Sequence, residues 1–212
     1  MQDKIENKQI KGKNSILTRR GLSIFLILFL IPMILIFSCT SKTKNLFTAY
    51  IAYYNKHDLN SRMALYADTA KFELVNGWLK TGKKSIGEYE AFMDAVESTI
   101  SLSDVEIKGD IIYCLLTEKD NLYNLLGINK LEYRTRFTFR RGLITEIIYS
   151  LTPESGLLLR TASKPFIQWV SENHRADWDE LINKAGFKYN KDTAGKWLDL
   201  ARQWQEVKNR NK

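Results

Sequence analysis

Two cysteines, two histidines and a few carboxylates are the side chains of this sequence with reactive chemistry. Cys39 closes the stretch ILIFSCTSK, Ile34 to Lys42, where an apolar run turns polar. A thiol at such a boundary is a nucleophile within reach of lipid at a bilayer surface. Cys114 stands in IIYCLL and reads as a small buried hydrophobe. A disulfide would need both thiols, so the chain carries no disulfide signature, and nothing has the spacing of a zinc set. For acid–base work the candidates are Asp68, Glu118, Asp120, Glu132 and Glu146. A general base must be buried enough to be tuned and must reach its substrate. Asp68 follows a helix and reads as a turn cap or a partner for lysine. Glu118 and Asp120 fall where a long strand ends, near a pocket rim. Glu132 and Glu146 share a face with charged or exposed positions. None reads as an inward acid. His57 sits in a polar turn, where exposure is expected, and His174 lies in the C-terminal tail. There is no phosphate loop, serine elbow or metal cluster, so no catalytic residue, metal or cofactor is assigned.

The elements that hold these residues begin with Gly21 to Phe37, GLSIFLILFLIPMILIF, which has no charge. Lys4, Lys8, Lys11, Lys13, Arg19 and Arg20 precede it, against Asp3 and Glu6. A positive start, an apolar run and a small residue before a cut point form the layout of a secretory signal, with the positive end in the cytoplasm. An uncleaved signal anchor is the other open reading, since the run is at the lower edge of what spans a bilayer. All-round hydrophobicity and the basic start disfavour a buried core helix. The 212-residue chain has 32 basic and 24 acidic residues; removing 1–38 leaves 26 and 22, a net charge of +4. The high pI is then partly the signal's, and no nucleic-acid partner is expected.

Beyond a short polar tether, Leu46, Phe47, Tyr50, Ile51, Tyr53 and Tyr54 recur at helical spacing. Asp58 caps a second short helix with Leu59, Met63 and Tyr66. Phe72 and Leu74 alternate with Lys71 and Glu73, and Asn76-Gly77 turns this strand back through Trp78 to Thr81. Ser85 is the expected cap of a third helix striped with Ile86, Tyr89, Phe92, Met93, Val96 and Ile100; Glu88, Glu90, Asp94 and Glu97 lie mostly off the stripe. Strand material follows over 103–119, with a turn at Gly109-Asp110. From Leu131 to Arg140, Leu131, Tyr133, Phe137 and Phe139 alternate with Glu132, Arg134, Arg136 and Arg140. Arg141-Gly142 turns into a last strand, Leu143 to Leu151. In the tail, Pro165 starts a helix with Phe166, Trp169 and Val170. A second carries Trp178, Leu181, Ile182 and Ala185 and ends at Gly186. A third, capped by Asp192, carries Trp197, Leu198, Ala201, Trp204 and Val207.

Two resemblances follow from these residues. Ile36-Phe37-Ser38-Cys39 resembles a bacterial lipobox, with Phe37 bulkier than that motif's usual residue. The resemblance implies a diacylglycerol on Cys39, cleavage before it and an acylated amine, and two or more chains anchor stably where one does not. The stretches YIAYYNKHDLNSRMALYADTAKFE, TGKKSIGEYEAFMDAV and FTFRRGLITEIIYSL look like the nuclear transport factor 2-like, or SnoaL-like, superfamily over Leu46 to Leu151. These are fold motifs rather than catalytic ones. They imply an α+β fold: a cone-shaped, curved antiparallel sheet on about three N-terminal helices, with a pocket at the open end.

The expected organisation is a lipoprotein signal peptide at 1–38, a lipidated tether at 39–45, the superfamily domain at 46–151 and a helical extension at 152–212. Tyr50, Tyr54, Tyr66, Phe72, Trp78, Phe92, Tyr113, Tyr133, Phe137 and Tyr149 are the expected inward set, filling a core or lining an apolar pocket with hydroxyls for a small ligand. The chain is expected in the bacterial cell envelope, held to a membrane through Cys39 and facing away from the cytoplasm. Three functions stay open. One is non-enzymatic binding of a small apolar ligand or a protein. Another is a SnoaL-like isomerase, cyclase or dehydratase. The last is an interaction module using the tryptophan-rich tail or a homodimer through the sheet face carrying Arg134, Arg136 and Arg140.

Overall fold

A computed structural model describes residues 42–183 and 186–210. Gly21 to Phe37 and Cys39 lie outside the described residues. Helix α1 (42–55) already includes residues 42–45 and buries Thr43, Phe47, Tyr50 and Tyr54 along one stripe. It is followed by α2 (Leu59–Ala64), β1 (Tyr66–Leu74), β2 (Leu79–Thr81) and α3 (Lys83–Ala95). Next come β3 (Thr99–Lys108), β4 (Ile111–Lys119), α4 (Asn121–Leu125), β5 (Leu131–Arg140) and β6 (Leu143–Leu151). Asp58 caps α2, its carboxylate accepting from the Ser61 amide at 3.1 Å. Asn76 adopts a φ of 60° at the β1–β2 turn. Helix α3 starts earlier than expected, on Gly82 instead of Ser85.

The strands form one curved sheet in the order β2-β1-β6-β5-β4-β3. Its neighbours are antiparallel except β1 and β6, which run parallel, so the sheet is mixed. Helices α1 and α3 fill its inner face against Leu116, Tyr133, Phe137 and Ile147. The β5–β6 register shifts between Thr138 and Phe139, and Ile144 and Ile147 both turn inward. A bulge of this kind bends the strand and sharpens the curl.

The cone has two distinct ends. At the turn end, the start of α1 meets the β3–β4 and β5–β6 turns. Thr43 donates to Asp110 Oδ1 at 3.2 Å, and the Lys42 ammonium lies against Gly142. At the other end, Asn55 clasps the backbone of Ile100 at 2.8 and 2.9 Å, fixing the end of α1 to the start of β3. The ends of β4 and β6 and the start of β5 open there.

The C-terminal extension covers that opening. Helix α5 (Pro153–Asn173) is one helix, not a helix beginning at Pro165. Thr152 caps it with Pro153 in the first turn, and Pro165 is absorbed inside. Helix α6 (Arg175–Leu181) stops short of the expected Gly186 end. Ile182 enters a small ladder of β7 (Ile182–Asn183) with β8 (Gly186–Phe187). Helix α7 (Lys191–Arg210) is capped by Asn190 rather than Asp192. The Asn190 Oδ1 accepts from the Thr193 amide at 2.9 Å, and Thr193 Oγ1 accepts in return from the Asn190 amide at 3.1 Å. Trp197 is buried and packs on Phe166, while Trp169 packs on Trp204. Among the described residues, no helix is long and apolar enough to cross a membrane.

Candidate functional site

Two polar clusters lie inside the cone, and both hang on carboxylates. Glu90 stands one turn from Ile86 on α3, so helical geometry turns it into the core. It meets Arg62 of α2, Nε to Oε2 at 3.0 Å, with both side chains fully buried. The contact is a charge pair without hydrogen-bond alignment. Tyr66 donates to Glu90 Oε1 at 2.6 Å and Tyr50 at 3.2 Å. Arg62 also donates to Asp94 Oδ1 at 2.7 Å, and its guanidinium lies over the Tyr54 ring. Burial raises the pKa of Glu90, while Arg62 and the tyrosine hydroxyls hold it back.

Glu118 ends the inward series Ile112, Cys114, Leu116 on β4 and is only 2% exposed. Its Oε2 accepts from Tyr133 at 2.9 Å, and its Oε1 lies 3.2 Å from both Ser98 Oγ and the Tyr54 hydroxyl. Burial raises its pKa too, against these three donors. Two residues on, Asp120 leaves the strand and caps α4, accepting from the Tyr123 amide at 2.7 Å. Burial, then the nearby Glu118, pushes the Asp120 carboxyl up to about 8.

In front of these clusters lies a cavity of about 210 Å³. Its wall from the cone includes Trp78, Phe92, Asp120, Tyr123, Tyr133 and Tyr149. The extension supplies Phe166, Ile167, Phe187, Tyr189 and Trp197. Tyr189 fixes the extension over the opening, its ring 5.1 Å from Phe92 and 5.6 Å from Tyr89. Tyr149 lines the cavity, and its hydroxyl is buried with no hydrogen-bond partner among the described residues. The Tyr123 and Tyr133 hydroxyls lie 3.5 Å apart, joining the cavity wall to Glu118 behind it. A buried donor without a partner carries a desolvation cost that a ligand's acceptor would relieve.

Of the expected inward residues, the structure brings Trp78, Phe92, Tyr133 and Tyr149 to the cavity. Tyr50, Tyr54 and Tyr66 are buried behind it as donors or contacts of the carboxylate clusters, while Phe72 and Phe137 are core. Tyr113 is corrected: it points out of the sheet at 38% exposure, under the Lys108 ammonium. The register Cys114 to Thr135 puts Cys114 and Leu116 inward, which forces Tyr113 outward. Glu118 and Asp120 are likewise corrected to buried acids. Asp68, Glu132 and Glu146 are not buried, the last two beside Lys130 and Arg136 at 2.6 Å each. His57 lies 3.4 Å from Asp94, and His174 packs on Trp169. Sequence reasoning missed Arg62 and Glu90. The spacing from Ile86 to Glu90 to Met93 was the available signal for Glu90; a lone arginine on a short helix offers none.

No family model matches this chain, and no curated protein matches it. Solved structures are similar over about half of it. One is an NTF2-like protein of unknown function from Cytophaga hutchinsonii, at 13% identity and TM-score 0.45, covering 54% of this chain and 94% of that one. The epoxide hydrolase/cyclase-like enzyme SalBIII, described in pyran ring formation in polyether salinomycin, is similar at 17% identity and TM-score 0.48, covering 54% and 94%. A protein of unknown function with a cystatin-like fold from Methylobium petroleophilum gives 15% and 0.46, covering 53% and 77%.

Proposed function

We propose that this chain is a lipid-anchored protein of the bacterial cell envelope that binds a small, mainly apolar ligand in its cone. Cys39 would carry the anchor, and the domain would face away from the cytoplasm. The observation that supports the ligand reading is an aromatic cavity wall that includes Asp120 and Tyr149, whose buried hydroxyl has no partner among the described residues. A cavity of about 210 Å³ suits one or two rings rather than an extended chain. Carboxyl and hydroxyl on an otherwise apolar wall favour a ligand with one hydrogen-bonding edge, such as a phenol or a cyclic ketone. The burial of Trp197 inside the wall speaks against an outward tryptophan surface in the tail.

Thermal unfolding with a panel of monocyclic and bicyclic phenols and ketones tests the ligand. A ligand at about 100 times its Kd adds about 2.7 kcal/mol of stability. Tyr149→Phe should abolish the gain for acceptor-bearing ligands. A panel that moves neither protein would overturn the reading. Intact mass of membrane-extracted protein tests the anchor: residues 39–212 plus acyl chains are expected, lost in Cys39→Ala.

A second reading, acid–base catalysis, is favoured by one observation: Asp120, with its carboxyl near 8, stands on the wall. Such an acid can exchange a proton with a bound substrate at neutral pH. Glu90 and Glu118 are not among the residues that line the cavity. Deuterium exchange beside the carbonyl of a bound ketone, lost in Asp120→Asn, would establish catalysis; silence across the panel would exclude Asp120 as its base.

A further inference from the structure

We propose that the turn end of the cone is a docking surface for anionic phospholipid headgroups and that the cavity end points away from the membrane. The proposal rests on the membrane-anchored reading of residues 1–41 and adds the orientation of the domain and the lipid it meets.

The geometry starts from the first described residue, Lys42, three positions after Cys39. Three residues span at most about 10 Å. Whatever anchors the chain at Cys39, or just before it, therefore holds the turn end close to the bilayer. Five basic side chains converge there from three separate segments: Lys42 and Lys44 on α1, Lys108 before the β3–β4 turn, and Arg140 and Arg141 at the β5–β6 turn. All five are exposed. With Lys108 neutralised by Glu106, the other four still outnumber the nearby acids, of which Asp110 keeps its charge beside the Thr43 hydroxyl. Glu106 pairs with Lys108 at 2.9 Å, Asp110 accepts from Thr43 at 3.2 Å, and Asp68 has Lys83 at 4.0 Å. Leu143 adds an apolar side chain, 37% exposed, beside the arginines. Exposed cations within about 10 Å of an anionic surface are inside its unscreened field at moderate salt. Arginine and lysine around one leucine match a headgroup layer, where charge meets phosphate and the apolar tip reaches the acyl boundary. The cavity lies at the other end, beyond Asn55 and Ile100 and under the C-terminal extension, and so would face the aqueous side.

The test uses the protein extracted from membranes and reconstituted into vesicles of phosphatidylcholine, with or without phosphatidylglycerol. Single cysteines replace Leu143 at the turn end and Lys130 at the cavity end, each carrying a fluorophore. Cys114 is buried and Cys39 acylated, so labelling is selective. A headgroup nitroxide lipid should quench the Leu143→Cys label several-fold more than the Lys130→Cys label in phosphatidylglycerol vesicles. The difference should shrink in phosphatidylcholine alone, at high salt, and in Lys42→Gln/Lys44→Gln/Arg140→Gln/Arg141→Gln, with the protein still floating with the vesicles. Equal quenching at both positions would overturn the proposal, as would a difference indifferent to lipid charge and to the fourfold variant. A full-length, unacylated mass would remove the lipidation alone. Lys42 would still follow a membrane segment, and with Cys39→Ser removing the freed thiol the two labels would report orientation as before. A protein that does not float at all overturns both.

Discussion

The Arg62 Nε stands 3.0 Å from Glu90 Oε2, and neither side chain reaches solvent. Glu90 also collects the hydroxyls of Tyr50 and Tyr66, so α1, α2, α3 and β1 meet at one carboxylate. Taking two charges out of water is costly, and only a closed network offsets it. Arg62→Ala leaves Glu90 buried without its counter-charge and should cost about 3–5 kcal/mol in urea unfolding. Arg62→Met with Glu90→Gln keeps the volume and the tyrosine acceptor and should recover part of that loss. A single variant that loses less than about 1 kcal/mol would show the pair to be solvated.

Asp120 should make stability fall as pH rises. Its carboxyl has an ordinary value of 3.8 and is pushed up to about 8 by burial and Glu118. Between those values the unfolded chain has lost the proton that the folded chain keeps. The contribution is thus fully present below about 3.8 and is lost as pH climbs through about 8, at up to roughly 1.4 kcal/mol per pH unit. Glu90 and Glu118, also raised, act in the same direction. Urea midpoints across this window should decline less steeply in Asp120→Asn than in the parent. Parallel profiles would sink the argument.

Tyr133 and Tyr149 stand side by side, their rings 5.2 Å apart, yet their hydroxyls should matter differently. Tyr133→Phe strips a 2.9 Å bond from buried Glu118 and should cost about 1–3 kcal/mol. Tyr149→Phe removes a hydroxyl that has no partner and should leave the unliganded protein as stable or slightly more so. Equal losses in chemical denaturation would mean that Tyr149 has a partner after all.

Cys114 should be inert in the folded protein. It is buried, and burial pushes its thiol up to about 12, so thiolate is scarce at neutral pH. Iodoacetamide should modify it only in denaturant. Rapid native labelling would place β4 at a less protected position in the sheet.

Much of the fold was legible because its signals are local. The stripe Phe47, Tyr50, Tyr54 fixes the buried face of α1, and the alternation of Leu131, Tyr133, Phe137 and Phe139 fixes that of β5. Turn residues such as Asn76-Gly77 and Arg141-Gly142 place the hairpins. Legibility failed where both parities are apolar, as in IIYCLL, since alternation then names no face and Tyr113 can be read either way. It failed again where a charge is buried, because Arg62 and Glu90 are 28 residues apart.

The sequence by itself determined most of the helix stripes and the alternating strands between Leu46 and Leu151, because helix and strand periods are written in neighbouring residues. Helix α4, the β7–β8 ladder and the full span of α5 came only with the structure. Only the tertiary structure decided that Glu90, Glu118 and Asp120 are inside, that Tyr113 is outside, and that Tyr189 closes a cavity with Tyr149 on its wall. Pairing register sets which face of a strand is buried. A buried charge depends on a partner supplied from elsewhere in the chain. Neither is a property of a local stretch.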